Sequence, residues 1–373
     1  MLESPNSAET IIDPRQAAES AGLRYVSDAR PGIRRKKAGT GFTYTRADGS
    51  KLSEKDVLKR IKALAIPPAW TDVWICPFAD GHIQATGRDA KSRKQYRYHA
   101  RFRELRESTK YEHVVAFADT LPGIREKVHE HMALRGLPRE KVLATVVHLL
   151  ETTLIRVGND DSAKQNNSYG LTTLKNRHVA VDGNEVRFRF TGKSGKQWSL
   201  RVRDRRIAKI IKACQELPGQ ELLQYVDEAG NCQDVTSTDV NNYLKEITGK
   251  DITAKDFRTW AGTVLAAMAL DELESFDSAA QAKRNLRAAI EKVAGKLGNT
   301  PTICRKCYVH PEVLNSYIDG NLVLELKSKV ESELRGDVQN LKPEEAAVLA
   351  LLRSRLAKEA EGPASKKQHA KAA

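Results

Sequence analysis

The sequence predicts an α+β chain: a small N-terminal sheet-containing domain, then a larger, mainly α-helical domain that includes a three-stranded antiparallel sheet. Three observations predict it. Short β-rich stretches alternate with one short helical pattern up to about Glu107. From about Ser108 onward, apolar residues recur at helical spacing over long runs. That helical pattern is broken once, by three strand-like segments separated by turn signals.

Taken in order, residues 1–21 are polar and read as a flexible lead-in. Within 22–107, Phe42-Thr43-Tyr44-Thr45 runs into the turn signal Asp48-Gly49, and Val73-Trp74-Ile75-Cys76 is a second strand-like piece. A helix opens after the N-cap residue Ser53 with early acidic side chains, and Pro67-Pro68 stops it. A short linker at Ser108–His113 is expected before the second domain, 108–335. There, Lys141–Ile155 sets Val142, Leu143, Val146, Val147 and Leu150 at the spacing of a largely buried helix. Strands are predicted at Arg177–Val181, Glu185–Thr191 and Lys196–Val202. Asp182-Gly183-Asn184 and Gly192-Lys193-Ser194-Gly195 are their turns, and connections so short imply an antiparallel meander. Helices resume at Arg205–Gln215, Ser237–Ile247, Asp256–Leu270 and Ser278–Leu297. Another starts at Thr300-Pro301, an N-cap residue followed by proline at the first helical position. Residues 336–373 read as a helix followed by a disordered basic end.

Composition narrows the function classes. No apolar run approaches the roughly 18 residues of a membrane helix, and the N-terminus lacks a basic-then-apolar secretory pattern. A cytoplasmic protein without a membrane partner is therefore expected, and five cysteines, an odd number, fit a reducing compartment. The net charge is +14, and it is lopsided: between Arg30 and Lys110 stand 20 basic and 8 acidic residues. A concentrated positive field attracts polyanions, nucleic acid above all, unless it is only a solvated face. No Gly-x-x-x-x-Gly-Lys-Ser/Thr phosphate loop and no acidic metal cluster is evident, so no cofactor and no metal is expected. Cys304-x-x-Cys307 is a single pair where structural zinc needs four ligands.

Four residues stand in unusual settings. Arg156 follows a buried helix, just before Gly158-Asn159; Lys193 sits at the tip of a glycine-flanked hairpin; Arg258 opens an otherwise apolar helix; Tyr308 lies in the basic helical stretch Cys304-Arg305-Lys306-Cys307-Tyr308-Val309-His310. Taken singly, each has a bland explanation: helix-end arginines cap carbonyls, turn lysines are solvated, and helical tyrosines pack. Together they are the types that metal-free cleavage of a DNA strand needs. Arginines hold phosphoryl oxygens in a planar fork, an acid protonates the leaving oxygen, and a tyrosyl phosphodiester stores the broken bond for resealing.

Five motifs occur in order: Arg156-Val157-Gly158-Asn159, Asn167-Ser168-Tyr169-Gly170-Leu171-Thr172-Thr173-Leu174, Phe190-Thr191-Gly192-Lys193, Lys255-Asp256-Phe257-Arg258-Thr259-Trp260, and Gly298-Asn299-Thr300-Pro301 leading to Tyr308. This series resembles the catalytic core of type IB DNA topoisomerases, in the small poxvirus-like form found in bacteria. The segment Gly87-Arg88-Asp89-Ala90-Lys91-Ser92-Arg93-Lys94-Gln95-Tyr96-Arg97-Tyr98-His99 is similar to that family's DNA-clamping domain, and the likeness spans about Gly22 to Gly320. It implies ATP-independent relaxation of double-stranded DNA by a monomer clamped around it, associated with the nucleoid. Tyr308 would form a 3′-phosphotyrosyl bond, Arg156 and Arg258 would hold the non-bridging oxygens, and Lys193 would protonate the 5′-oxygen. Asn299 stands where bacterial members carry asparagine and poxviral ones histidine. Arg88, Lys91, Arg93, Lys94, Gln95, Tyr96, Arg97 and Tyr98 would meet DNA, the basic ones at phosphates and Gln95 and the tyrosines at base edges. Two positions depart from the pattern: Ser162 replaces a usual tyrosine, and Ser92 a usual glycine. A tyrosine recombinase shares this chemistry but normally shows His-x-x-Arg where this chain has Lys255-x-x-Arg258. A non-catalytic DNA-binding protein would not need the five catalytic types.

Overall fold

The computed structural model describes residues 14–90, 92–273, 276–322 and 341–369, with side chains omitted at 106–112, 161–162 and 358–369. The chain forms two compact units, Met1–Glu112 and His113–Ala373.

In the first unit, α1 (Pro14–Ser20) precedes β1 (Ile33–Ala38), β2 (Gly41–Thr45), α2 (Lys55–Ala63), β3 (Thr71–Ile75), β4 (Ile83–Arg88) and β5 (Lys94–Tyr98). The strands form one five-stranded antiparallel sheet in the order β2-β1-β3-β4-β5. One core cluster joins Ile61 of α2 with Ile33, Leu52, Val73, Ile75 and Ala85. Gly87 belongs on that inner side because a side chain there would run into Trp70 and Val73.

Helix α3 (Ala100–Met132) then leads into the second unit. The linker expected at Ser108–His113 is helical backbone instead, in a stretch without glycine or proline to end it.

The second unit continues through α4 (Arg139–Thr153), α5 (Asp160–Asn166), β6 (Val179–Asp182), β7 (Glu185–Thr191), β8 (Gln197–Arg203), α6 (Arg205–Gln215), β9 (Gln224–Val226) and β10 (Cys232–Asp234). It closes with α7 (Ser237–Thr248), α8 (Ala254–Asp271), α9 (Ala279–Leu297), α10 (Pro301–Cys307), α11 (Pro311–Ile318) and α12 (Pro343–His369). The predicted meander is present as β6-β7-β8, with Val186 opposite Val202 and Phe188 opposite Leu200. Val186, Phe188 and Phe190 alternate into the core from β7 while the residues between them do not. Helix starts follow their caps: Asp204 accepts from Arg206 and Ile207, Thr236 and Asp239 form a capping box, and Thr300 caps α10 ahead of Pro301.

The C-terminal segment is part of this unit's core. Ala347, Val348, Leu351 and Leu352 of α12 are buried in the cluster that also holds Leu143, Leu150, Trp260 and Leu270. Arg125 of α3 grips Glu345 through two bonds of 2.9 Å and Glu151 at 2.7 Å. Helical backbone runs on to His369, past Gly362-Pro363 where the sequence reading stops it, through a stretch rich in alanine, lysine and glutamate.

Candidate active site

Arg258 is 3% exposed on the first turns of α8, a helix whose other buried residues are apolar or small apart from Thr259 and Thr263 and carry no charge. A buried cation needs compensation, and none of the ion pairs among the described residues supplies a carboxylate to it. Two helix ends serve instead. Its guanidinium donates to the carbonyl of Leu154, the C-cap of α4, and at 2.6 Å to the carbonyl of Leu297, the last residue of α9. Helix C-termini carry about half a negative charge, so two of them offset much of the positive charge without placing an anion in the site. Leu154 adopts left-handed backbone at φ +58°, which costs a non-glycine residue roughly 1–2 kcal/mol.

Arg156 reaches the same place from the other side. It donates to the Gly298 carbonyl at 3.3 Å and to Asn299 Oδ1. Gly298 ends α9 in left-handed backbone, φ +65°, and so turns the chain back toward the arginines. Burial pushes both guanidinium groups below their usual range, and at Arg258 the like charge of Arg156 adds to the effect. The cradle therefore favours an anion. Two of its donors have no partner: Arg258 Nε and Asn299 Nδ2 are buried without a hydrogen bond.

Tyr308 faces this cradle, with the Arg258 guanidinium 5.2 Å from its ring centre. The sequence places Tyr308 inside a helix, but α10 stops at Cys307 and Tyr308 is its C-cap, φ −131° and ψ −2°. His310 is held extended ahead of Pro311, which ends the helix early. Gly262 of α8 lies directly under the Tyr308 carbonyl, where any side chain would collide with it. Cys304, one turn back, is fully buried, and burial pushes its thiol up to about 11.

Lys193 sits at the tip of the β7–β8 hairpin, exposed, with no hydrogen bond or ion pair to the described residues. Ser194 and Gly195 both take left-handed backbone there, φ +63° and +77°, folding the tip sharply. The structure thus brings Arg156, Arg258, Asn299 and Tyr308 together and leaves Lys193 on a separate element of the same unit. Among the described residues no group of three or more His, Cys, Asp or Glu could hold a metal ion. No helix of the described residues is long and apolar enough to cross a membrane.

The basic strand β5 lies in the first unit. Lys94 pairs with Asp28 at 2.6 Å, Arg93 with Asp89 at 2.7 Å, and Arg88 lies 4.0 Å from Asp72. Burial opposes ionisation of Asp28, but hydrogen bonds from Lys94 and Thr86 outweigh it and hold the carboxyl below its usual range. Tyr96 and Tyr98 stack in parallel, centroids 5.8 Å apart, and Tyr96 is 41% exposed. Gln95 and Arg97 occupy the alternate, inner positions: Gln95 donates to Asp89, and Arg97 donates to the Ala65 carbonyl over the Trp70 ring. Ser92, where glycine is usual, itself takes φ +58°, so the loop keeps the turn a glycine would make. Lys91 lies outside the described residues, as does the side chain of Ser162.

Two family models match the chain. That of the eukaryotic DNA topoisomerase I catalytic core covers residues 99–333, and that of the bacterial DNA topoisomerase IB N-terminal domain covers residues 41–89. The chain is 31% identical over 294 residues to DNA topoisomerase 1B of Acanthamoeba polyphaga mimivirus, covering 77% of this chain and 87% of that protein. It is 24% identical over 276 residues to DNA topoisomerase 1B of vaccinia virus, covering 72% and 83%, and equally so to DNA topoisomerase I of monkeypox virus. With the core model spanning well over half of the sequence and the cradle of Arg156, Arg258, Asn299 and Tyr308 assembled in that span, the chain belongs to the type IB DNA topoisomerase family, enzymes that relax DNA, in the form with a bacterial N-terminal domain.

Proposed function

We propose that Tyr308 is the nucleophile, that Arg156, Arg258 and Asn299 hold the scissile phosphate, and that Lys193 is the general acid. The carrying observation is the pair of guanidinium groups without a carboxylate, Arg258 buried and Arg156 half-buried, with Arg258 Nε and Asn299 Nδ2 unpartnered and Arg258 against the Tyr308 ring. The phenolic oxygen bonds to phosphorus as the bond from phosphorus to the 5′-oxygen breaks. The phenol's proton leaves to water, and the Lys193 ammonium gives a proton to the departing oxygen. Strand rotation follows, and the reverse sequence reseals the strand. Three preorganised donors at about 3–4 kcal/mol each and general acid catalysis at about 3–5 kcal/mol fall within the roughly 8–23 kcal/mol typical of enzymes.

In this reading Arg88, Lys91, Arg93, Lys94, Gln95, Tyr96, Arg97 and Tyr98 bind duplex DNA. The exposed Tyr96 and the side chains of Arg88 and Arg93 beside the β4–β5 turn support it, and Gln95 and Arg97 would reach DNA by exchanging their bonds to Asp89 and the Ala65 carbonyl. The protein works as a monomer that clamps DNA, in the cytoplasm at the nucleoid; five free thiols are consistent with that compartment. The roles are tested with Tyr308→Phe and Lys193→Ala. The first should bind duplex yet form no denaturant-stable protein–DNA adduct. The second should cleave slowly and recover on a substrate with a 5′-bridging sulfur, because a thiolate leaves unprotonated. An adduct formed by Tyr308→Phe, or no recovery by Lys193→Ala, refutes the assignment concerned.

A further inference from the structure

Lys193 carries a long, flexible side chain on an exposed three-residue tip, so something else must fix where its ammonium points. The root of the hairpin shows what does. Trp198 of β8 fits between two glycines from distant parts of the chain. A Cβ on Gly192 would lie 2.6 Å from the indole nitrogen, and a Cβ on Gly298 would lie 2.8 Å from Cζ2 of the same ring. Both contacts are closer than a side chain permits, so neither position can carry one while the indole is seated there. Phe190 backs the ring from the core side, planes 3° apart and centroids 6.0 Å apart. Lys196 runs beside it, its Nζ 5.5 Å from the ring centre and 2.8 Å from the Gly295 carbonyl, to which it donates. Among the described residues that is the only hydrogen bond between the hairpin turn and the end of α9.

The positions of the glycines give the arrangement its meaning. Gly192 immediately precedes Lys193. Gly298 immediately precedes Asn299, and its carbonyl accepts from Arg156. The indole and the Lys196 bond therefore join the hairpin that carries the acid to the turn that carries the phosphate cradle. We propose that Trp198 and Lys196 are positioning residues that set Lys193 against the leaving oxygen by docking the hairpin onto the C-terminal end of α9. This rests on the reading of Lys193 as general acid. Misplacing a reacting group by about 1 Å costs on the order of 10²-fold in rate, so loss of the dock should slow cleavage by about 10- to 10²-fold.

The test uses the full chain with Trp198→Ala, Trp198→Phe, Lys196→Met and Lys193→Ala. Single-turnover cleavage is measured on two duplexes that differ only in oxygen or sulfur at the 5′-bridging position, with duplex affinity measured alongside. Slow cleavage of the oxygen duplex by Trp198→Ala and Lys196→Met, near wild-type cleavage of the sulfur duplex, and unchanged affinity are the expected results. Trp198→Phe, which keeps a ring in the slot, should retain most of the rate. Trp198 is only half-buried, and if its alanine variant fails to fold, Lys196→Met decides alone. Equal slowing on both duplexes would place the defect in the phosphate cradle and overturn the proposal, as would no slowing at all. If sulfur fails to recover Lys193→Ala itself, the general acid reading falls and the proposal falls with it. That failure is distinct from one in which Lys193→Ala recovers and the docking variants do not.

Discussion

Arg258→Ala removes a side chain that is 3% exposed and donates to the carbonyls of Leu154 and Leu297, the first a half-buried and the second a buried helix end. Each carbonyl left without its donor costs about 1–3 kcal/mol. The strained left-handed turn at Leu154 also loses the bond that holds it. Removing a buried charge returns part of its desolvation penalty, so a net loss of about 2–4 kcal/mol is expected. For a unit of this size, about 2–4 °C per kcal/mol gives a fall in Tm of roughly 4–16 °C. Arg156→Ala gives up one longer backbone bond, 3.3 Å to Gly298, and a bond to Asn299. Its stability loss should be about 0.5–1.5 kcal/mol. Both variants should lose cleavage by about 10²-fold or more, since each removes a phosphate donor. The assay pairs thermal melting with single-turnover cleavage on one duplex. Similar melting shifts for the two variants, or Arg258→Ala melting within about 1 °C of the parent, would refute the account of Arg258 as the bolt between two helix ends.

Relaxation of supercoiled plasmid should proceed in EDTA without ATP and on supercoils of either sign, because rotation about an intact strand has no preferred direction; strict dependence on ATP or a divalent ion, read from topoisomer gels, would contradict this. Asp28→Asn and Asp89→Asn release Lys94 and Arg93 from their partners, so each should steepen the dependence of log K on log[salt] by up to about 0.9; an unchanged or shallower slope would show that these cations do not meet phosphate. Alkylation at pH 8 should label the partly exposed Cys232 and Cys307 well before Cys304, which is buried with its thiol pushed up to about 11. The thiolate is the reactive form, so Cys304 labelling should rise only as pH approaches that value; rapid labelling at pH 8, read by peptide mass mapping, would contradict the burial.

Where the sequence was legible, local chemistry made it so. Arg205–Gln215 was predicted with its observed limits because Asp204 caps it and its apolar residues keep one period. Glu185–Thr191 was equally plain, bounded by a turn at each end. The five proposed catalytic residues were legible only as an ordered set, through family likeness. Long-range features were not legible. Nothing near Leu154 announces a left-handed C-cap, since glycine and asparagine are the residues that usually signal one. The sequence places Tyr308 mid-helix because Pro311, three residues further on, restrains only His310 directly, and nothing in the local pattern marks the end at Cys307. Trp198 and Gly298 are 100 positions apart, and no periodicity pairs a large residue with a missing side chain at that distance. The one available hint was a tryptophan on a short hairpin whose turn opens with glycine. The burial of α12 was hidden as well, because its apolar run Ala346–Leu352 is short and its partner Arg125 is distant in sequence.

The counter-charge for Arg258 comes from peptide carbonyls and not from a side chain. A carboxylate in that place would take up a proton in mild acid, and it would repel an incoming phosphate at close range. A peptide oxygen at a helix terminus does neither, so the electrostatic balance around Arg258 should hold steady across the pH range in which the protein stays folded. It also has no codon of its own. Exchanging the side chain of Leu297 leaves that carbonyl in place as long as α9 remains a helix, so the arrangement is shielded from most single mutations that would erase an acidic partner.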